Sequence, residues 1–420
     1  MKAKKKILLL IVLAIFLLYS ATCYAATVTG QIAAVSAERL QGQDRYETAV
    51  AISQEGWLAA ENAVLAYGGN FPDALCAAPL ALMMNAPILL TDKNVLHPKT
   101  EAELNRLGVK NVLITGGTSV VPQAIEDYLE TKGYNCIRLA GDNRYETSIV
   151  IAIYMQTYAQ SSGTIFVVNG LDYPDALSVS PLAAQLAAPI ILTSPQGTSY
   201  DGLLQEYVQA YNPYKMAYLI GGTDQVRDSV ANLFTNRERI PGADKYERNA
   251  AIIDHFADDI DFSKAYIATG EAFPDALAGS VLAALNAGPI ILVSKTLSLY
   301  TEALLEAALT ADTELIVLGG PGAVSEATLE AIEDTITGTA GEEIEIYFVD
   351  IYDEISLGDD YILPETVRAV TASGSSLQTE FPVTWSPEEI DISEPGEYTF
   401  EGTVEGYETK VYLYLEVVED

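Results

Sequence analysis

Short, nearly unbroken Val/Ile/Leu runs alternate with longer stretches of helical spacing, and the alternation occurs three times before it changes character. In its first occurrence, Tyr46–Trp57 has helical spacing and Asn62–Tyr67 reads as a strand ending in the turn Gly68-Gly69. Asp73–Asn85 is helical and rich in small residues, Pro87–Thr91 is a strand and His97–Leu107 a helix. Asn111–Thr115 is a strand ending at Gly116-Gly117, and Pro122–Leu129 is a helix with proline in its first turn. Apolar runs without polar alternation, set between helices, predict parallel strands buried on both faces. Each occurrence is therefore expected to be a small doubly wound α/β domain.

The alternation repeats because the sequence repeats. Arg39-Leu40-Gln41-Gly42-Gln43-Asp44-Arg45-Tyr46-Glu47-Thr48 returns as Arg138-Leu139-Ala140-Gly141-Asp142-Asn143-Arg144-Tyr145-Glu146-Thr147. It returns again as Arg239-Ile240-Pro241-Gly242-Ala243-Asp244-Lys245-Tyr246-Glu247-Arg248. Phe71-Pro72-Asp73-Ala74-Leu75 matches the runs beginning at Tyr173 and Phe273, and Ala86-Pro87-Ile88-Leu89-Leu90 matches those beginning at Ala188 and Gly288. Gly116-Gly117 matches Gly221-Gly222 and Gly319-Gly320. A period near 100 residues is a whole domain rather than a solenoid repeat. The units are read as 38–136, 137–237 and 238–340, packed around a pseudo-threefold axis. From 342 to 420 the pattern turns to short alternating segments, Glu343–Val349, Glu397–Val404 and Lys410–Val418, punctuated by Pro382, Pro387 and Pro395. That predicts a C-terminal all-β sandwich.

One apolar run stands outside this scheme. Met1 to Lys6 is basic, Ile7 to Leu18 is uninterrupted and apolar, and small residues follow to Ala25-Ala26. The run is short for a span of about 20 residues, so 1–25 is read as a secretory signal peptide. Lipidation at Cys23 is the alternative, though Thr22 fits the preceding slot poorly. After cleavage no membrane span is expected, and no sortase-type signal follows the final strand.

Charge narrows the partners. With 23 Lys+Arg against 58 Asp+Glu the net charge is −35 over 420 residues, and residues 342–420 alone hold 21 acidic and two basic residues. Such acidity disfavours duplex nucleic acid. Two histidines, His97 and His255, do not align in the repeats and leave little room for a His-rich metal centre. Both are read as incidental, and no cofactor is expected. Cys76 aligns with Ser178 and Ala278 and is read as a packed thiol, with a Cys76–Cys136 bridge as the alternative.

The repeated Arg-Leu-x-Gly-x-Asp-Arg-Tyr-Glu-Thr run, Pro-Asp-Ala-Leu, Ala-Pro-Ile-Leu-Leu and the late Gly-Gly resemble the cell wall-binding repeat 2 family over residues 38–340. Leu363-Pro364-Glu365-Thr366-Val367, Pro382-Val383-Thr384-Trp385 and Pro395-Gly396-Glu397-Tyr398 are similar to a bacterial Ig-like domain of group 4. The first resemblance implies an exported surface protein of a Gram-positive bacterium, held noncovalently on an anionic wall polysaccharide or teichoic-acid-like polymer. The tail would then be a spacer or adhesive module. The pattern departs at Lys245, Arg248 and Gly288 in the third unit and at Asn143 in the second.

Candidate polymer-binding residues are Arg45, Tyr46, Arg144, Tyr145, Lys245 and Tyr246, because a guanidinium gives bidentate contacts to phosphate or carboxylate and tyrosine a flat amphipathic face. The competing reading is an internal ion pair at a domain junction. Asp73, Asp175 and Asp275 follow a proline and open a helix, which is N-cap chemistry, or a ligand site at the carboxyl ends of the strands. Arg39, Arg138 and Arg239 are read as structural, and Gly319-Gly320-Pro321-Gly322 as a weak phosphate-cradle candidate. No catalytic or metal residues are assigned. The remaining alternatives are a wall-associated hydrolase, a modifier of one, and a soluble secreted ligand-binding protein.

Overall fold

The computed structural model describes residues 35–70, 73–158, 163–197, 201–210, 215–338, 346–348, 351–358, 361–371, 376–386, 392, 394–404 and 410–418. The predicted signal segment and Cys23 lie outside the described residues. The first repeat runs β1 (Ala37–Leu40), α1 (Arg45–Gly56), β2 (Asn62–Tyr67), α2 (Ala77–Met83), β3 (Ile88–Thr91), α3 (Pro98–Leu107), β4 (Asn111–Thr115) and α4 (Gln123–Thr131). The second runs β5 (Asn135–Leu139), α5 (Arg144–Tyr158), β6 (Thr164–Asn169), α6 (Pro174–Gln185), β7 (Ile190–Thr193), α7 (Asp201–Ala210), β8 (Met216–Ile220) and α8 (Asp228–Ala231). The third runs β9 (Arg237–Ile240), α9 (Lys245–His255), β10 (Lys264–Thr269), α10 (Pro274–Leu285), β11 (Ile290–Val293), α11 (Leu299–Ala308), β12 (Glu314–Leu318) and α12 (Glu326–Thr337).

Three four-stranded parallel sheets result, in the orders β3-β2-β4-β5, β7-β6-β8-β9 and β11-β10-β12-β1. Each sheet takes its last strand from the repeat that follows, and the third takes it from the first. Ala37 pairs with Leu315 and Leu40 with Leu318, so the chain closes on itself as a ring. The predicted strands match closely; the edge strands β1, β5 and β9 were not anticipated. Their sequences (Ala37-Glu38-Arg39-Leu40, for one) are half polar because an edge strand is buried on fewer sides.

The three Pro-Asp-Ala-Leu helices meet at the centre: α2 packs on α6, α6 on α10 and α10 on α2. They are built of small residues because three helices sharing one axis need close backbone approach. Ala176, Ser178, Ser180, Ala183 and Ala184 of α6 are all buried. Each also packs against the next repeat's motif helix, α2 on α5, α6 on α9 and α10 on α1. In the first repeat the predicted helix at Asp73 begins only at Ala77, which puts Pro79 in its first turn, where its missing N–H costs nothing. Gly288, where the other repeats have alanine, is explained by packing. A Cβ there would stand 3.0 Å from the ring of Tyr266, which fills the space. Cys76 is buried with a free thiol and Cys136 is free, so the bridge does not form and the packed-thiol reading stands.

The tail is a β domain of strands β13 (Ile346–Phe348), β14 (Ile351–Ser356), β15 (Thr366–Thr371), β16 (Ser376–Ser386), β17 (Gly396–Val404) and β18 (Lys410–Val418). The order is β13-β15-β16-β17-β18-β14. β16 pairs with β15 through its first half and with β17 through its second, so one strand serves both halves. Phe348, Val367, Trp385, Phe400 and Leu413 form the core between them. The Trp385 indole donates to the Pro364 carbonyl at 2.7 Å, giving the buried ring its polar partner.

Candidate functional site

The repeated motif is first of all a helix start. Asp44 accepts from the N–H groups of Tyr46 and Glu47 at 2.9 Å each, Asn143 from those of Tyr145 and Glu146 at 2.9 and 3.2 Å, and Asp244 from those of Tyr246 and Glu247 at 2.8 and 2.9 Å. Asn143 caps as Asp does, since one oxygen suffices. The glutamates reach back to the loop N–H groups of Gln43, Asp142 and Ala243, a variant of the capping box. Thr48 and Thr147 accept from Gly42 and Gly141 N–H at 3.1 Å.

The basic residues Arg45, Arg144 and Lys245 open these helices and each donates to the carbonyl of the glycine that ends the unit's second strand. The distances are 2.5 Å to Gly68, 2.7 Å to Gly170 and 2.8 Å to Gly270. The adjacent tyrosines are half-buried beside them. Tyr46 donates to Asp92 at 3.3 Å, and its ring stacks on His97 with centroids 4.5 Å apart. His97, set aside in the sequence, therefore lies against the candidate site. Tyr246 donates to Glu271 at 2.6 Å, and burial together with that carboxylate raises its phenol above the ordinary value.

Asp73, Asp175 and Asp275 do not cap. Helices α6 and α10 begin one residue earlier, at Pro174 and Pro274, without a side-chain cap, and the carboxylates turn instead toward the next repeat's motif. Asp73 meets the Thr147 hydroxyl and the charge of Arg144. Asp175 forms an ion pair with Arg248 at 2.7 Å, both side chains under a tenth exposed. Asp275 faces the charge of Arg45 across the ring closure. Burial raises all three carboxyls, and that of Asp275 is pushed up to about 6. Three equivalent junctions thus bring each unit's aspartate to the following unit's basic motif. Arg248, the departure from threonine, supplies at the third motif the cation that meets the aspartate.

Arg39, Arg138 and Arg239 are structural, as expected. They donate to the turn carbonyls of Gly319, Gly116 and Gly221, each in the sheet their strand completes, at 3.0, 2.9 and 2.8 Å. The late Gly-Gly turns each present a carbonyl to these arginines, and the phosphate-cradle reading of Gly319-Gly320-Pro321-Gly322 gains no support from them. Gly319 has φ 96° and a Cβ there would strike the Asp275 carboxylate, an acid that repels an anion while ionised. Among the described residues no group of His, Cys, Asp and Glu could hold a metal ion. No helix among them is long and apolar enough to cross a membrane.

Comparison with known proteins identifies the repeats and the tail. The family model described as Cell wall binding domain 2 (CWB2) matches residues 39–126, 138–231 and 239–329, and that of the Bacterial Ig-like domain (group 4) matches 348–407. The N-acetylmuramoyl-L-alanine amidase LytC of Bacillus subtilis (strain 168) is 33% identical over 259 residues, covering 62% of this chain and 50% of that protein. The amidase enhancer of the same organism is 33% identical over 272 residues, covering 64% of this chain and 36% of that protein. The chain thus spans half the length or less of these two relatives. Among solved structures, Cwp6 from Clostridium difficile superposes with a TM-score of 0.65 at 28% identity over 77% of this chain and 52% of that one. Cwp8 from Clostridium difficile gives 0.64 at 30% identity over 72% and 52%.

Proposed function

This chain belongs to the cell wall binding domain 2 family, and from that premise we propose that it is a secreted surface protein of a Gram-positive bacterium, held noncovalently on an anionic wall polymer by its three repeats. Cell wall binding is what such repeats indicate; to it we add the anionic polymer, the noncovalent hold and export. The observation that carries it is the threefold recurrence of a basic side chain beside a half-buried tyrosine at the carboxyl end of a parallel sheet, where open α/β folds take ligands. A protein of net charge −35 meets an anionic polymer through local basic sites while its bulk charge lies elsewhere, much of it after residue 341. We assign the Ig-like domain the part of spacer or adhesive module.

The test is sedimentation with isolated cell walls. A fragment of residues 26–341 is expected to bind and to be released by salt, because exposed charge contacts are screened within about 10 Å at 0.1 M ionic strength. A fragment of 342–420 is expected to stay in solution. Equal sedimentation of both fragments would overturn the assignment of binding to the repeats.

A further inference from the structure

We propose that the groove between α9 and α11 of the third repeat docks a basic amphipathic helix of a partner protein, one that carries Arg or Lys at positions i and i+7. The groove encloses about 690 Å³ over a floor of apolar and small residues that includes Ile253, Phe262 and Leu304. Two acids, Glu247 and Asp254, line it as well, and no basic residue does. They lie seven residues apart on α9, two turns or about 10 Å along its axis.

The first repeat shows what fits such a place, because there the chain fills it with its own side chains. Thr100 and Thr301 donate to matching strand carbonyls, those of Leu90 and Leu292, and so align α3 with α11. On that alignment Lys99 corresponds to Tyr300, Glu103 to Leu304 and Arg106 to Ala307. Lys99 meets Glu47 of α1 at 3.4 Å. Arg106 pairs with Glu103 at 2.7 Å and donates to the Trp57 carbonyl, which ties α3 to the end of α1. These two cations are themselves seven residues apart on one helix.

The third repeat keeps the acid and loses both cations. One Glu47 oxygen accepts from the Gln43 N–H and the other faces Lys99. One Glu247 oxygen accepts from the Ala243 N–H in the same way, and among the described residues the other has no partner. Asp254 is exposed and makes no ion pair among the described residues. In the second repeat Gln156 of α5 reaches the Tyr207 hydroxyl of α7 at 3.0 Å and bridges the corresponding crevice. A helix is the occupant that matches this shape. Ala303 and Ala307 stand exposed one turn apart on α11, and Ala250 lines the groove from α9, so a third backbone can approach to the usual packing distance of about 8–10 Å. Laid along the groove, it buries its apolar face on Ile253, Phe262 and Leu304 and sets one basic side chain beside each acid.

Fluorescence anisotropy tests this with the full chain at about 0.15 M salt, where diffuse attraction to a net charge of −35 is screened. The probe is a labelled helical peptide of alanine and leucine with arginine at i and i+7, compared with an isomer that has one arginine moved to the opposite face. Wild type is expected to bind the first peptide about fivefold more tightly than the isomer, and Asp254→Asn to weaken that binding about threefold. Ala307→Arg, which restores the first repeat's plug, is expected to weaken it about tenfold by filling the apolar floor. Equal affinity for the two peptides, an Ala307→Arg protein that binds as wild type does, or no saturable binding overturns the proposal. A free aliphatic diamine that displaces the peptide and binds more tightly than it does also overturns it, by making the groove a site for a small dication. Should Ala307→Arg melt below wild type, Asp254→Asn decides together with the two peptides.

Discussion

The junction between the first and second repeats and that between the second and third solve one problem with different residues. Each buries an aspartate of a central helix against the next motif. At the first, Asp73 meets a threonine hydroxyl, Thr147, with the Arg144 charge farther off. At the second, Arg248 stands where threonine would and pairs with Asp175 directly, while Lys245 turns outward to Glu271. What the repeats keep is a buried carboxylate faced by a cation, and the position of the cation can move three residues along a helix. A motif read letter by letter therefore marks Arg248 as a defect, and the packing shows it to be a substitution with its partner in place.

The sharpest way to break this comparison is to remove the cation. Arg248→Ala leaves Asp175 buried without its counter-charge and should destabilise the chain by about 3–5 kcal/mol in urea unfolding. Thr147→Val, which removes a neutral hydroxyl that serves both Asp73 and the Gly141 N–H, should cost less, about 1–2 kcal/mol. Similar costs at the two junctions would mean that the ion pair does not hold the second one.

An intermediate effect is expected from pH at the ring closure, where Asp275 has only the Arg45 charge to oppose its burial. Its carboxyl is raised to about 6 from an ordinary value of 3.8. The folded form therefore takes up a proton before the unfolded form does. Stability contributed by this group is greatest below the unfolded value and falls as pH rises from there to about 6, by up to about 3 kcal/mol. Asp275→Asn should remove that slope, seen as the difference between wild-type and variant melting points followed from pH 4 to 7. An unchanged difference across that range would show that the carboxyl titrates normally. The smallest effect belongs to the caps, which all three motifs share. Asp44→Ala should cost about 1 kcal/mol, and Asn143→Asp should alter stability by no more than a few tenths, since the oxygen that caps is retained.

Much of this architecture is legible in the sequence because it rests on local pattern. Asn62–Tyr67 and Asn111–Thr115 are strands over the residues that their apolar runs mark. The ring of three is legible because the repeats are. The strands β1, β5 and β9 were not, because four or five half-polar residues beside a motif carry no period of their own, and their partners lie in another repeat. The capping role was assigned to Asp73, Asp175 and Asp275 on local grounds and belongs to Asp44, Asn143 and Asp244. A proline before an aspartate looks the same whether the carboxylate turns back to its own helix or across to the next domain. Glu271 and His97 acquire meaning only through space, since neither is repeated. Arg45, Arg144 and Lys245 are each tied to a glycine carbonyl of their own unit, a contact that neither reading weighed for them anticipated.

The borrowed edge strands also set the order in which the protein can be made. Arg39 finds its place on the Gly319 carbonyl, 280 residues further along the chain. A chain threaded outward from its N-terminus thus holds its first strand unmatched until nearly all of the third repeat has followed. Ring closure is then a late step with a high loop-closure cost, and folding of the repeats should be slow and sensitive to completion. A chain cut short before β12 would leave β1 without its parallel neighbour, an open edge of the kind that recruits other strands. Length is in this sense proofread by the fold, because the last sheet can be finished only by a strand of the first repeat.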